Sequence, residues 1–129
     1  MGRALVLSEP LSLWGGLDPA TGELIDVHHP QRGAVLTDRV LILPAGRGSS
    51  SSSSVLAEAA RAGTAPAAIV LGEADLILAV GAAVADELYG RRIPVLLLAP
   101  EELATIPDGA MVDVAGDRVT FDSDIRPRA

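Results

Sequence analysis

Short aliphatic segments separated by turn-forming residues recur along the whole chain. Residues 40–43, 67–71 and 93–98 consist almost entirely of Val, Ile, Leu and Ala, and a proline stands within or beside each segment. Strands that are buried on both faces of a sheet have this composition. These three segments are therefore predicted to be buried strands. The pattern over 3–7 predicts another short strand, and a weak alternation over 23–27 predicts a further one.

Two longer segments have the spacing of helices. After the serine run 49–54, apolar residues recur at helical spacing up to a stop at Gly63, which indicates a strand, a tight turn and a helix in succession. Residues 74–88 mix aliphatic residues with alanines and are too long for one strand. They are predicted to be mostly helical, with an end at Gly90. Pro100, followed by two glutamates, is typical of the first turn of a helix.

The remaining segments are predicted to be turns and a hairpin. Residues 9–22 are rich in Gly, Pro and Asp, which indicates a loop made of turns. Two short runs, 111–115 and 118–121, flank a Gly-Asp pair and predict a β-hairpin. Buried strands that alternate with helices indicate an α/β fold with a partly parallel aliphatic sheet, flanking helices and a C-terminal hairpin. We expect one domain over 1–124 and a frayed tail over 125–129.

Composition narrows the classes of function. The 129 residues carry a formal charge of -7 and include one Trp, one Tyr and one Phe, which argues against a nucleic-acid partner. The chain has no cysteine, so it forms no disulfide and supplies no thiolate to a metal. No apolar run approaches the about 18 residues of a membrane span. We expect a soluble, cytoplasmic protein that has no membrane partner and no metal site of its own.

The segment from Gly46 to Ser49 is the strongest candidate for chemistry. A strand that ends in a glycine turn and continues into a helix directs backbone N–H groups and the positive end of the helix dipole to one point. Arg47 adds a full positive charge, so the turn suits a phosphate, a carboxylate or a negative serine oxygen. One alternative is that Ser49 or Ser50 only caps the helix. Another is that the six serines form a flexible linker.

Two familiar motifs are excluded at this turn. It is not a Walker A loop, because that motif needs a lysine and the chain contains none. It is also not the G-x-S-x-G elbow of a hydrolase, and neither histidine of the chain stands in a clear motif to serve as a base for Ser49. Local spacing alone therefore leaves a binding turn and a simple helix cap as the two interpretations.

Five ordered segments carry a more specific signal than the turn alone. They are SEPLSLWGGLDPATGELID (8–26), HPQRG (29–33), LPAGRGSSSSS (43–53), APAAIV (65–70) and AVGAAVADEL (79–88). Together they resemble the small subunit of aconitase X over nearly the whole chain. The resemblance implies a β/β/α fold similar to the swivelling domain of aconitase. Many family members have a further strand before the segment that matches 3–7, so we expect either a shortened start or a sheet without that edge strand.

The resemblance also implies an activity that is divided between two subunits. Family members include cis-3-hydroxy-L-proline dehydratases and mevalonate 5-phosphate dehydratases, which eliminate water across a carbon–carbon bond. The large subunit of the family carries the iron centre, either iron or an iron–sulfur cluster, and the small subunit is expected to be inactive without it. By this resemblance Ser49 accepts a proton from the substrate, while iron in the large subunit draws on the leaving hydroxyl.

The expected substrate is a small hydroxy acid. We favour cis-3-hydroxy-L-proline, because all ten basic residues are Arg and the Ala-rich composition looks bacterial. Mevalonate 5-phosphate is the alternative, with Arg47 and the serine amides, including that of Ser50, as a phosphate cradle. A noncatalytic swivelling module that binds a phosphate or carboxylate metabolite belongs to another class of function. A purely structural partner subunit is the third.

Four more residues are assigned to substrate binding by the resemblance. The loop around Gly15 and Gly16 is placed at the substrate cleft, where backbone N–H groups hold a carboxylate. Asp18 belongs to the same loop, and its alternative role is to brace a turn. His29 matches a histidine of the family and is expected to bind a substrate carboxylate or orient a water, with a structural role in the loop as the alternative. Trp14 has two alternative interpretations: its side chain lies at the substrate cleft, or it fills a gap in the packing of a surface loop.

Overall fold

The computed structural model describes residues 2–47 and 49–121, so the predicted tail 125–129 and the domain boundary at 124 lie outside the described residues. Within this part of the chain there are eight strands and three helices. In chain order they are β1 (Gly2–Val6), β2 (Leu17–Asp18), β3 (Glu23–Leu24), β4 (Val40–Leu43), α1 (Ser52–Ala62), β5 (Ala68–Leu71), α2 (Leu76–Tyr89), β6 (Val95–Leu97), α3 (Pro100–Leu103), β7 (Met111–Ala115) and β8 (Arg118–Phe121). None of these helices has the length and apolar character needed to cross a membrane.

Six of the strands form one mixed sheet in the order β6-β5-β4-β1-β7-β8, and β2 pairs with β3 in a separate antiparallel ribbon. Strands β1, β4, β5 and β6 run parallel to one another. Strand β7 is antiparallel to β1 and forms a hairpin with β8. The predicted α/β fold, with its partly parallel sheet, flanking helices and C-terminal hairpin, is confirmed.

Both faces of β4 and β5 are covered, because every residue of these two strands is buried. Leu5, Leu41 and Ile69 point to the core beneath α1 and α2. Residues that alternate with them point to the opposite face, where Val40 belongs to a second core together with Val112 of the hairpin. A strand that is buried on both sides needs an apolar residue at every position, which explains why the sequence of these strands is continuously aliphatic.

Helices α1 and α2 pack side by side on one face of the sheet, with a glycine at their contact. A Cβ atom on Gly81 would lie 2.9 Å from the carbonyl oxygen of Ser53 and 3.3 Å from the Cβ of Leu56. Glycine at this position therefore lets α2 approach the first turn of α1. Both helices end as predicted, because Gly63 and Gly90 adopt the left-handed conformation that closes a helix.

The structure corrects two strand predictions. Strand β6 lies at the edge of the sheet, is only partly buried and leaves Leu97 57% exposed, so the predicted buried strand over 93–98 is wrong in that respect. An edge strand has a neighbour on one side alone, so an aliphatic run there does not ensure burial. The strand predicted over 23–27 is reduced to Glu23–Leu24. Its partner β2 forms inside 9–22, the segment predicted to contain only turns.

Candidate functional site

The loops that follow three parallel strands leave the sheet at one edge. Residues 7–16 follow β1, residues 44–51 follow β4, and residues 72–75 follow β5. The carboxyl ends of parallel strands meet at the same edge, and open α/β sheets bind their ligands in the crevice outside these ends. The candidate glycines at 15 and 16 and the candidate serines thus belong to adjoining loops.

The serine turn, defined as residues 46–51, is fixed to the first of these loops by backbone hydrogen bonds. The N–H group of Arg47 donates to the carbonyl oxygen of Leu11 at 3.1 Å, and the N–H group of Leu11 donates to the carbonyl oxygen of Ala45 at 3.4 Å. Leu11 is buried in the core, so it anchors the turn. The side chain of Arg47 is exposed and forms no ion pair with any residue that the structure describes, which leaves its charge open to an anion.

Asp75 bounds the serine turn on the side of α2. Its Oδ1 accepts a hydrogen bond of 3.0 Å from the N–H group of Leu78 and so caps α2, while its Oδ2 occupies the space that a Cβ atom on Gly46 would need. Asp75 is not among the residues predicted from the sequence. The signal that identifies it is an Asp directly before an apolar segment of helical length, which is typical of an N-cap.

Helix α1 begins later than the first serine of the run. Ser51 is its N-cap and makes no side-chain capping hydrogen bond. The carbonyl oxygens of Ser49 and Ser50 accept hydrogen bonds from the backbone N–H groups of Ser52, at 2.9 Å, and of Ser53, at 3.3 Å. Neither the Ser49 nor the Ser50 hydroxyl therefore caps the helix. The side chain of Ser49 is partly buried and has no hydrogen-bond partner in the described part of the chain.

Ser52 joins the start of α1 to the loop that follows β1. It is 3% exposed, and its Oγ accepts a hydrogen bond of 3.2 Å from the backbone N–H group of Trp14. The same Oγ lies 3.4 Å from the Oγ of Ser12. This role of Ser52 was not predicted from the sequence, in which the six serines form one run. The run gives no local signal for it, because the burial of one serine among six depends on a loop distant in sequence.

The predicted glycines of the same loop differ in their surroundings. A Cβ atom on Gly16 would collide with the carbonyl oxygen of Ser12 and with the side chain of Leu11, whereas Gly15 has open space around it and a left-handed φ of 79°. Gly16 is therefore required for packing, and Gly15 for the turn. The side chain of Trp14 is 61% exposed, so it does not plug a gap in this chain.

The structure does not bring Asp18 to the serine turn. The Oδ1 of Asp18 accepts a hydrogen bond of 2.9 Å from the N–H group of Ala20, and the next carbonyl, that of Pro19, accepts one of 2.7 Å from the hydroxyl of Thr64. Thr64 follows α1, whose 11 residues extend over about 16 Å, so Asp18 lies near the opposite end of that helix from the serine turn. In this position Asp18 braces a turn.

His29 is 6% exposed and holds two loops together. Its Nδ1 accepts a hydrogen bond of 3.0 Å from the backbone N–H group of Gln31, and its Nε2 lies 3.1 Å from the carbonyl oxygen of Glu9. A backbone N–H can only donate, so these partners assign the hydrogen to Nε2. Both ring nitrogens are occupied within the chain, and substrate binding by His29 stays a prediction that this arrangement does not support.

The described residues do not fit an iron centre. They contain no group of three or more His, Asp or Glu side chains that could hold a metal ion, and the whole chain lacks cysteine. A serine turn with an exposed arginine suits an anion rather than a metal cation. The backbone N–H groups at the start of α1 and the exposed guanidinium of Arg47 are groups of the kind that bind anions.

Comparisons with known proteins identify the family of the chain. The chain matches the family model of the aconitase X swivel domain over residues 1–122. It is 49% identical over 114 residues to the cis-3-hydroxy-L-proline dehydratase of Pseudomonas aeruginosa, covering 87% of this chain and 20% of that protein. It is 55% identical over 84 residues to the phosphomevalonate dehydratase small subunit of Methanopyrus kandleri, covering 65% of this chain and 62% of that protein.

A solved structure supports the same relationship. The crystal structure of Thermococcus kodakaraensis aconitase X in its holo-form matches with a TM-score of 0.74 and 32% identity, covering 86% of this chain and 79% of that chain. The chain spans about a fifth of the length of the two cis-3-hydroxy-L-proline dehydratases it matches. It corresponds to 85% of the phosphomevalonate dehydratase small subunit of Methanothermobacter thermautotrophicus. On these grounds the chain belongs to the aconitase X swivel domain family.

Proposed function

We propose that this chain is the small subunit of an aconitase X-type dehydratase, and that it eliminates water from a small hydroxy acid only together with a large subunit. The observation that carries the proposal is the serine turn, which combines Ser49 with an exposed Arg47 at the carboxyl edge of a swivel-domain sheet. Iron belongs to the large subunit in this proposal, because the described residues of this chain do not fit it. Each step below concerns residues of this chain alone.

Ser49 is the proton acceptor in the proposed reaction. Its Oγ, as an alkoxide, takes a proton from a substrate carbon, and the electrons of that C–H bond form the new carbon–carbon double bond. The hydroxyl on the neighbouring carbon then leaves with its bonding electrons as hydroxide, which together with the proton now held by Ser49 makes up one molecule of water. The unengaged and partly buried side chain of Ser49 supports this role, because no partner in the described part of the chain competes for its oxygen.

A serine hydroxyl is a weak base, so the turn has to stabilise the alkoxide. The backbone N–H groups of Ser50 and Ser51 have no hydrogen-bond partner among the described residues, as expected at the beginning of a helix. These groups, the positive end of α1 and the guanidinium of Arg47 all favour a negative oxygen. A large subunit that covers the turn would exclude water and strengthen each of these interactions.

The substrate that we propose first is cis-3-hydroxy-L-proline. It is supported by the 49% identity to the Pseudomonas aeruginosa dehydratase, which extends over 87% of this chain. Mevalonate 5-phosphate is the second candidate, supported by the 55% identity over 84 residues to the Methanopyrus kandleri small subunit. The exposed Arg47 and the N–H groups of Ser50 and Ser51, which have no partner among the described residues, suit a carboxylate and a phosphate equally well.

The test combines the chain with the large subunit encoded alongside it. Water elimination is assayed on both substrates, with the wild-type chain, Ser49→Ala and Ser50→Ala. We expect turnover of one substrate by the wild type, loss of turnover in Ser49→Ala with the complex and its iron content unchanged, and most of the activity retained in Ser50→Ala. Near-normal turnover in Ser49→Ala contradicts its role as proton acceptor. Absence of any complex and any elimination favours the noncatalytic binding module instead.

A further inference from the structure

Helix α2 carries a row of aliphatic side chains on its outer side, called the α2 stripe below and formed by the exposed Leu76, Val80 and Leu88 and the partly buried Val84. These residues are four apart, so they lie along one side of the helix. Leu76, Val80 and Leu88 are 80%, 54% and 65% exposed. No charged residue occurs between Leu76 and Ala85, so the helix is apolar both toward the core and away from it. A helix of this kind is normally covered on both sides.

The α2 stripe begins beside the serine turn. Leu76 directly follows Asp75, whose carboxylate packs against Gly46 of the turn. From there the stripe extends along α2 to Leu88, a distance of about 18 Å at the rise of an α-helix. The apolar surface is thus continuous with the edge of the sheet that a large subunit has to cover to complete the site.

We propose that the α2 stripe is the surface on which the large subunit docks, an inference that rests on the proposed function. The organisation of the relatives supports the large subunit as the partner that covers the stripe. In two cis-3-hydroxy-L-proline dehydratases the matching segment is about a fifth of a longer chain, whereas in the phosphomevalonate dehydratases it is most of a separate small subunit. A unit found both within a longer chain and as a subunit has a permanent neighbour, and permanent interfaces have apolar centres.

The size of the α2 stripe argues against a second copy of this chain as the occupant. A helix is about 10 Å wide, so two copies joined through this stripe alone would bury roughly 200 Å² each. A stable interface buries about 800 Å² per partner. A large subunit that also covers the serine turn reaches this area, with the stripe as the apolar centre and the polar turn at its rim.

The experiment compares Val80→Glu with a matched control, Val27→Glu. Val27 is also an exposed valine, at 64%, and it lies outside α2. Affinity of each chain for the co-encoded large subunit is measured by calorimetry, after circular dichroism has established that the variants are folded. We expect Val80→Glu to weaken binding at least tenfold and Val27→Glu to bind within about threefold of the wild type. Leu76→Glu, at the most exposed position, serves as the second variant if Val80→Glu does not fold.

Each other outcome has a distinct meaning. If the wild-type chain binds no large subunit, both the proposed function and the large subunit as the partner of the α2 stripe are contradicted. If the wild-type chain and the charged α2 variants bind the large subunit equally well, the proposed function stands, but the α2 stripe is not the docking surface. Equal losses in Val80→Glu and Val27→Glu overturn the role of the stripe too. A dimer of the isolated chain that Val80→Glu dissociates assigns the stripe to a second copy.

Discussion

The α-carbon of Gly46 packs directly against the carboxylate of Asp75, so one side chain both caps α2 and forms a wall of the serine turn. The two carboxylate oxygens have separate tasks: Oδ1 accepts the hydrogen bond from Leu78, and Oδ2 occupies the space beside the glycine. The turn that follows β4 and the helix that follows β5 therefore hold each other in position, although their residues are far apart in the sequence.

We expect Gly46→Ala and Asp75→Ala to destabilise the protein by about 1 kcal/mol or more each, and the double variant by little more than either alone. The new Cβ at position 46 displaces the carboxylate, so the cap of α2 is lost in both single variants. Urea denaturation of the four chains measures the coupling. Asp75→Asn keeps an oxygen that accepts the cap hydrogen bond and serves as the control near wild-type stability. Simple addition of the two losses would show that the contact does not couple them.

Ser52→Ala is expected to cost about 1–2 kcal/mol of unfolding free energy, because it leaves the backbone N–H group of Trp14 without its partner beside a buried position. The matched control is Ser54→Ala, an exposed serine of the same helix, for which we expect a change below about 0.5 kcal/mol. Chemical denaturation measures both. Equal effects in the two variants would mean that the link between α1 and the loop after β1 adds no stability.

His29→Ala is expected to lower the free energy of unfolding by about 2–3 kcal/mol, since it leaves the carbonyl of Glu9 and the N–H group of Gln31 unpaired. His29→Asn should lose less, because its side-chain oxygen can accept from the N–H group two residues on. In the proposed complex with a large subunit we expect His29→Asn to raise KM little. A large rise in KM at unchanged stability would instead identify His29 as a substrate ligand.

The stability contributed by the exposed ion pair of Glu58 and Arg61 is expected to depend on pH. A 2.6 Å hydrogen bond from Arg61 lowers the pKa of Glu58 below its ordinary value of 4.5. The pair therefore contributes stability above about pH 4.5, and this contribution is lost as the pH falls through the lower pKa of the folded state. NMR titration should place the midpoint of Glu58 below 4.5 and move it upward in Arg61→Gln, whereas Arg91→Gln leaves it in place.

Local signals in the sequence predict most of the architecture. Gly63 and Gly90 correctly predicted the C-terminal ends of α1 and α2, because a glycine in the left-handed conformation ends a helix whatever surrounds it. The continuous aliphatic run of β4 predicted burial, since only an interior strand with both faces covered needs it. The same pattern overestimated the burial of β6. Its position at the sheet edge depends on strand order, which no local pattern records.

In the candidate site, too, residues that are consecutive in the sequence were predicted, and residues that act through distant contacts were not. The glycine turn between a strand and a helix was predicted for Arg47 and Ser49, because its residues are consecutive. Asp75 and Ser52 were missed as parts of the site, because each acts through a contact with a distant segment. Asp18 was assigned to substrate through its place in a matching segment, and only the fold shows that it lies toward the other end of α1.

Strand β1 is the first element of the chain, yet it lies inside the sheet, and its Arg3 pairs with Met111. A ribosome therefore releases β1 and β4 long before β7 exists, and one side of the nascent sheet stays without its neighbour during that time. An unpaired strand edge invites pairing with other chains, and contacts between distant parts of a sequence form slowly. Strand β7 covers this edge of β1 once it has been synthesised, so we expect truncations within the hairpin of β7 and β8 to reduce soluble yield.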